Sequence, residues 1–147
     1  MQNIQTLIFD LGGVIINLKT EQQWIDEDLL PNFQPEKFQL LQQQQYFQLF
    51  ETGNVSVPDF IQQLKEIAIN QQISEEEIIH HWNGILKDIP VHRVDLLKKL
   101  AEKYRLVLLS NTNHIHMNFI RKYMLAEFDA DVLETNRSEE RRVGKEC

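Results

Sequence analysis

Two short apolar runs constrain the fold more than anything else in this chain. Thr6-Leu7-Ile8-Phe9 stops at Asp10, with Gly12-Gly13 just behind it. Arg105-Leu106-Val107-Leu108-Leu109 stops at four small polar residues, Ser110-Asn111-Thr112-Asn113. Each run is continuous enough for a buried strand, and each ends in groups suited to polar chemistry. Between them the period is helical, and strands joined through helices form parallel sheets. The stretch from Thr20 to about Tyr104 is far more than one crossover needs. The expected fold is therefore an α/β parallel sheet carrying an inserted block of helices.

Local signals divide that block. Thr20-x-x-Gln23 and Ser74-x-x-Glu77 are capping-box patterns. Pro35 suits a first helical position, and the spacing of Phe38, Leu41, Tyr46, Leu49 and Phe50 predicts one helix running to Gly53. Ser56 and Asp59 open another, with Phe60, Ile61, Leu64, Ile67 and Ala68 on its apolar face. After Pro90, Val94, Leu96, Leu97, Leu100 and Ala101 mark one more. A helix from about His114 to Met124 follows the second run, and Asp131-Val132-Leu133-Glu134 is expected to start a third strand. Gln42 to Gln45 read as a solvated helix face. Trp24, Phe38, Phe47 and Phe50 read as helical core rather than a ligand box, while His81 and Trp82 read as core or surface with a substrate contact left open.

Composition narrows the function classes. The 147 residues make one ordinary domain, 42% hydrophobic and 25% charged, as globular chains are. A net charge of −7 argues against nucleic acid as a partner. The sequence has no apolar run long enough for a membrane span and no signal-peptide pattern at Met1 to Asp10. Its single cysteine, Cys147, excludes a disulfide framework. The expectation is a soluble, cytoplasmic protein.

Ligands of open parallel sheets bind beyond the carboxyl ends of the strands. An aspartate there can attack phosphorus, and the glycines after it let backbone approach a ligand. Hydroxyls and free N–H groups at a helix start suit an anion. A plain turn or cap role for Asp10 stays open on spacing alone.

Leu7-Ile8-Phe9-Asp10-Leu11-Gly12-Gly13-Val14-Ile15 resembles motif I of the haloacid dehalogenase-like (HAD) hydrolase superfamily. Leu106-Val107-Leu108-Leu109-Ser110-Asn111-Thr112-Asn113 resembles its motif II. Phe50-x-x-Gly53, Trp82-Asn83 and Asp88-Ile89-Pro90 resemble a bacterial branch with sugar-phosphate phosphatases, similar to the phosphatase domain of soluble epoxide hydrolases. The resemblance implies a Rossmann-like core from 1–16 and 91–136, a helical C1 cap from 17–90, and a small phosphorylated metabolite as substrate. It implies that Asp10 is the nucleophile and that Asp10 and the Gly12 carbonyl bind Mg²⁺. Ser110, Asn111 and Thr112 would hold phosphate and line the pocket floor.

Gly12 stands where many family phosphatases carry a second aspartate as general acid. Haloacid dehalogenases also lack that acid, so substitution at carbon is the alternative chemistry. The family further implies a motif III lysine and a motif IV acidic pair. Lys122, Asp129 and Asp131 come too early to be these. Residues 137–147 carry seven charges in eleven positions and resemble an in-frame translation of a sequencing adapter, hence a non-native tail. Without them the charge is 11 basic minus 19 acidic, or −8. The core is then expected to be incomplete at its C-terminus, leaving Thr6 to Phe9 as an exposed edge. The chain as it stands would be inactive, and a non-enzymatic fragment or binding module is the third reading. His114 and His116 should diverge on a helix start, which argues against a metal pair; His80-His81 are expected in the core or at the surface.

Overall fold

The computed structural model describes residues 3–110 and 112–128. Among these, the chain separates into two compact units. One takes residues 3–18, 87–110 and 118–128, and the other takes 19–86 and 112–117. The expected third strand at 131–134, Asp129, and the tail at 137–147 lie outside the described residues.

The first unit holds the sheet. Strand β1, Thr6–Phe9, pairs in parallel with β2, Arg105–Leu108, in the register Thr6 to Arg105 through Phe9 to Leu108. The Arg105 N–H donates to the Gln5 carbonyl at 2.9 Å, and the Leu109 N–H to the Phe9 carbonyl at 2.8 Å. Strand β1 is not the buried strand that its apolar run alone predicts, and is exposed like the edge expected of Thr6 to Phe9. Thr6 is exposed and Ile8 is 64% exposed, because β2 is its sole partner among the described residues. Strand β2 keeps Leu106 and Leu108 buried. Beyond β1 the chain turns sharply: the Ile15 and Ile16 N–H groups donate to the Leu11 carbonyl, and the Gly13 N–H to Ile16. Gly13 has φ 73, a left-handed conformation in which a side chain is strained.

Two segments of this unit are tied together behind the turn. The Asn17 N–H donates to the Asp88 carbonyl, and the Lys87 N–H to Asn17, both at 2.9 Å. Arg93, on helix α6 (Val91–Ala101), donates to the Asn17 side-chain oxygen at 3.0 Å and to the Ile15 carbonyl at 3.4 Å. Helix α6 buries Val94 and Leu97, while Leu96 from the expected apolar face is exposed. Helix α7 runs from His114 to Phe128, one turn longer than the sequence predicts, and buries Ile120 and Met124.

The second unit is helical: α1 (Glu21–Trp24), α2 (Pro35–Gln43), α3 (Tyr46–Glu51), α4 (Val57–Ile67) and α5 (Glu75–Trp82), with the first residues of α7. Both capping boxes form, at Thr20 and Ser74, and Ser56 caps α4. Each side-chain oxygen satisfies an N–H that the first helical turn would otherwise leave unpaired. Helix α1 is a single turn that passes into a π-helical turn over Ile25–Leu29.

The one long helix expected from Pro35 to Gly53 is two. Gln45, with φ 57, breaks it in a left-handed conformation. The break turns Tyr46 parallel to Phe60 at 6.0 Å, and Phe50 stacks on Phe60 at 3.8 Å. Packing of three rings outweighs the strain of one left-handed glutamine, which is on the order of 1–2 kcal/mol. The core of this unit gathers Trp24, Leu29, Phe33, Phe38, Phe50, Phe60, Leu64, Ile78 and Trp82, with Phe47 half-buried against it.

Candidate active site

Strand pairing sets the geometry of the candidate site. With Phe9 paired to Leu108, Asp10 is level with Leu109, and Ser110 follows at the same end of the sheet. The carboxyl ends of both strands thus present Asp10 and Ser110 together, where parallel sheets bind ligands. Asp10 is exposed, and one of its carboxylate oxygens accepts the Leu11 N–H at 2.7 Å, which fixes the side chain against its own turn. The turn's other hydrogen bonds run to the Leu11 and Ile16 carbonyls and leave the Gly12 carbonyl aside. Gly12 is in close contact with Leu18, whose tip an added Cβ would meet at 2.8 Å.

Ser110 is half-buried. Asn111 lies outside the described residues. Thr112 groups with the helical unit. Asn113 is buried and caps α7, its side-chain oxygen accepting the His116 N–H at 2.9 Å, while its Nδ2 has no partner among the described residues. Among the described residues no three His, Cys, Asp or Glu side chains cluster as metal ligands. A hard cation at this strand end would therefore rest on carboxylate and carbonyl oxygens, the donor types that Mg²⁺ takes.

The histidines separate as expected. His114 is exposed and His116 is buried. The His116 ring lies flat against Trp82, and its Nδ1 is 2.8 Å from the Asn83 Oδ1. The amide oxygen can only accept, so this assigns the proton to Nδ1. Burial lowers the His116 pKa to about 4 and keeps the ring neutral. His81 is half-buried beside Asn32, and its pKa is lowered by burial and by His80. Trp82-Asn83 stands out in the sequence, but no local signal marks the Asn83 contact to His116, which joins two distant segments.

At the level of known proteins, no family model matches the chain. Solved structures do. The HAD family enzyme BT-2542 from Bacteroides thetaiotaomicron, in complex with magnesium and inorganic phosphate, superposes with a TM-score of 0.67 at 35% identity, over 82% of this chain and 58% of that one. Its magnesium complex aligns with 92% of this chain and 66% of its own, at TM-score 0.66 and 32% identity. This chain belongs to the HAD-like superfamily. A second HAD-like neighbour, described as a predicted hydrolase of Porphyromonas gingivalis, gives a TM-score of 0.63 at 26% identity, over 80% of this chain and 56% of its own. The HAD-like chain is also 29% identical over 119 residues to the D-ribitol-5-phosphate phosphatase of B. thetaiotaomicron. That match takes in 79% of this chain and 56% of the phosphatase, so the chain spans little more than half the length of the curated relative. The α/β fold with a parallel sheet expected from the two apolar runs is the HAD fold of these neighbours.

Proposed function

We propose that this HAD-like protein serves Mg²⁺-dependent hydrolysis of a small phosphomonoester, with Asp10 as nucleophile. The observation that supports this most is the strand register, which brings Asp10 and Ser110 to one sheet end. The named activity of the ribitol-5-phosphate phosphatase supports a sugar or polyol phosphate as the substrate class. The helical unit of residues 19–86 is then the C1 cap, the family element that selects the leaving group. A net charge of −7, and the absence among the described residues of any helix able to cross a membrane, fit a small metabolite in the cytoplasm better than nucleic acid or a lipid surface.

In this reading a carboxylate oxygen of Asp10 attacks phosphorus, the bond from phosphorus to the leaving oxygen breaks, and an aspartyl-phosphate forms. Water then attacks that phosphorus, releasing inorganic phosphate and restoring the carboxylate. The Ser110 hydroxyl and the Asn111 N–H hold the phosphoryl oxygens, Thr112 lines the pocket, and these donors stabilise charge as it builds in the transition state. Asp10 and the Gly12 carbonyl are the residues that would hold Mg²⁺, which when bound offsets the phosphate charge. Gly12 brings no acid to the leaving oxygen, so its proton comes from solvent, at a cost on the order of 10²–10⁴ in rate.

That same Gly12 favours a second reading, displacement at carbon as in haloacid dehalogenases. Residues 1–147 alone carry Asp10 without the family's lysine and acidic pair. Like charges at about 4 Å repel by roughly 4 kcal/mol at an effective dielectric near 20, so these residues by themselves should turn over no phosphomonoester. The assay is p-nitrophenyl phosphate with excess Mg²⁺, against a form extended through a family lysine and acidic pair. Activity confined to the extended form is expected. Equal rates would show the added groups to be dispensable. Activity of the extended form on 2-haloacids alone would favour the dehalogenase, and activity on neither substrate the non-enzymatic module.

A further inference from the structure

Asn83, Asn113 and His116 are the buried polar residues among the described ones, and they form one connected network. All three belong to the helical unit. The Asn113 Oδ1 accepts the His116 N–H at 2.9 Å, and the Asn113 carbonyl accepts the Met117 N–H at 3.0 Å. These two bonds close the first turn of α7. From that turn the His116 ring reaches across to Asn83, with its Nδ1 2.8 Å from the Asn83 Oδ1 and its plane parallel to Trp82. Ile115, beside it on the turn, is buried in the same core.

The acceptor stands on a fixed backbone. Asn83 opens a single 3-10 turn, Asn83–Ile85, directly after α5. Its N–H is bonded at the end of α5, and its carbonyl accepts the Leu86 N–H at 2.9 Å. Burying polar groups costs free energy unless each is paired, and apolar side chains of similar size would pack here without that cost. What the network adds is direction, because each bond sets one donor against one acceptor. The element it orients is the start of α7, which begins two residues after Thr112. The segment 110–112, read above as the phosphate holder, therefore runs straight into a turn that the helical unit fixes in place.

We propose that Asn83 and His116 are positioning residues for phosphate, acting through Asn113 on the segment 110–112. Neither side chain is assigned a contact with substrate. The network holds the turn, the turn sets where the chain after Ser110 can lie, and a misplacement of about 1 Å at such donors costs on the order of 10²-fold in rate. The phosphate role rests on the phosphatase reading, whereas the hold on the turn does not.

The double variant Asn83→Leu/His116→Phe separates positioning from packing. Phenylalanine keeps a ring on Trp82, and both polar partners leave together, so neither is left buried and unpaired. In the 147-residue chain this variant should resist urea as well as the wild type does. The amides at positions 116 and 117 should nevertheless exchange with solvent at least about tenfold faster by NMR. In the form extended through a family lysine and acidic pair, KM for a phosphomonoester and Ki for inorganic phosphate should rise together by about tenfold or more, equivalent to about 1.4 kcal/mol. Asn83→Asp, which keeps an acceptor at the same atom, should retain the wild-type KM and Ki. Asn83→Leu alone carries the same expectation as the double variant and serves where the phenylalanine is not accommodated. Unchanged amide exchange would overturn the proposal, and so would unchanged KM and Ki in a folded variant of an active extended form. An extended wild type without turnover would instead contradict the phosphatase reading, and the amide exchange would then decide whether the network holds the turn.

Discussion

The His116 imidazole lies parallel to the Trp82 indole, with centroids 5.9 Å apart and planes 7° apart, while its Nδ1 meets the Asn83 Oδ1 at 2.8 Å. Burial of the ring against Trp82 holds it in its neutral form. The folded pKa of about 4 lies below the ordinary 6.5, so between these values the unfolded chain binds the extra proton. Stability from this residue is therefore complete above about pH 6.5 and is lost as pH falls toward 4, by about 3 kcal/mol in all. Urea unfolding at a series of pH values should show this slope. His116→Gln should flatten it, and an unchanged slope in that variant would assign the titration elsewhere.

Trp82 is 2% exposed and meets Trp24, Phe47, Phe50, Phe60 and His116. Its removal opens a cavity in the centre of the helical unit. Trp82→Ala should cost about 3–5 kcal/mol in denaturant unfolding. A change in substrate selectivity without that loss would make Trp82 a substrate contact rather than a packing residue.

The turn after Asp10 separates two kinds of glycine. Gly13 has φ 73 with open space around it, whereas Gly12 has no such φ and faces only the tip of Leu18. Gly13→Ala should cost about 1–2 kcal/mol through backbone strain alone. Gly12→Ala should cost less, because the exposed Leu18 side chain can rotate away. Thermal melts of the two variants give the order, and the reverse order would place the strain at Gly12.

What the sequence made legible was local or periodic. The capping boxes at Thr20 and Ser74 are read within four residues, and each forms. The two apolar runs announced the parallel strand pair because continuous Val, Leu and Ile in short segments favour buried sheet. The break at Gln45 was hidden because glutamine, unlike glycine or asparagine, carries no left-handed preference, and the apolar spacing runs through it unbroken. Ring packing on Phe60 decides that break, and Phe60 lies beyond the helix. The Asn83 contact to His116 was hidden because it spans 33 positions.

Chemistry through Asp10 is the central claim, and it turns on one atom substitution. In Asp10→Asn an amide replaces the carboxylate, keeping the shape of the side chain and the acceptor for the Leu11 N–H while removing the nucleophile. The most direct measurement is the rate of phosphate release from a sugar or polyol phosphate with Mg²⁺, in a form extended through a family lysine and acidic pair. Measurable turnover is expected with Asp10, and a loss of at least about 10³-fold in Asp10→Asn with an unchanged fold, a barrier increase of about 4 kcal/mol. Substantial turnover remaining in the folded Asp10→Asn protein would contradict it.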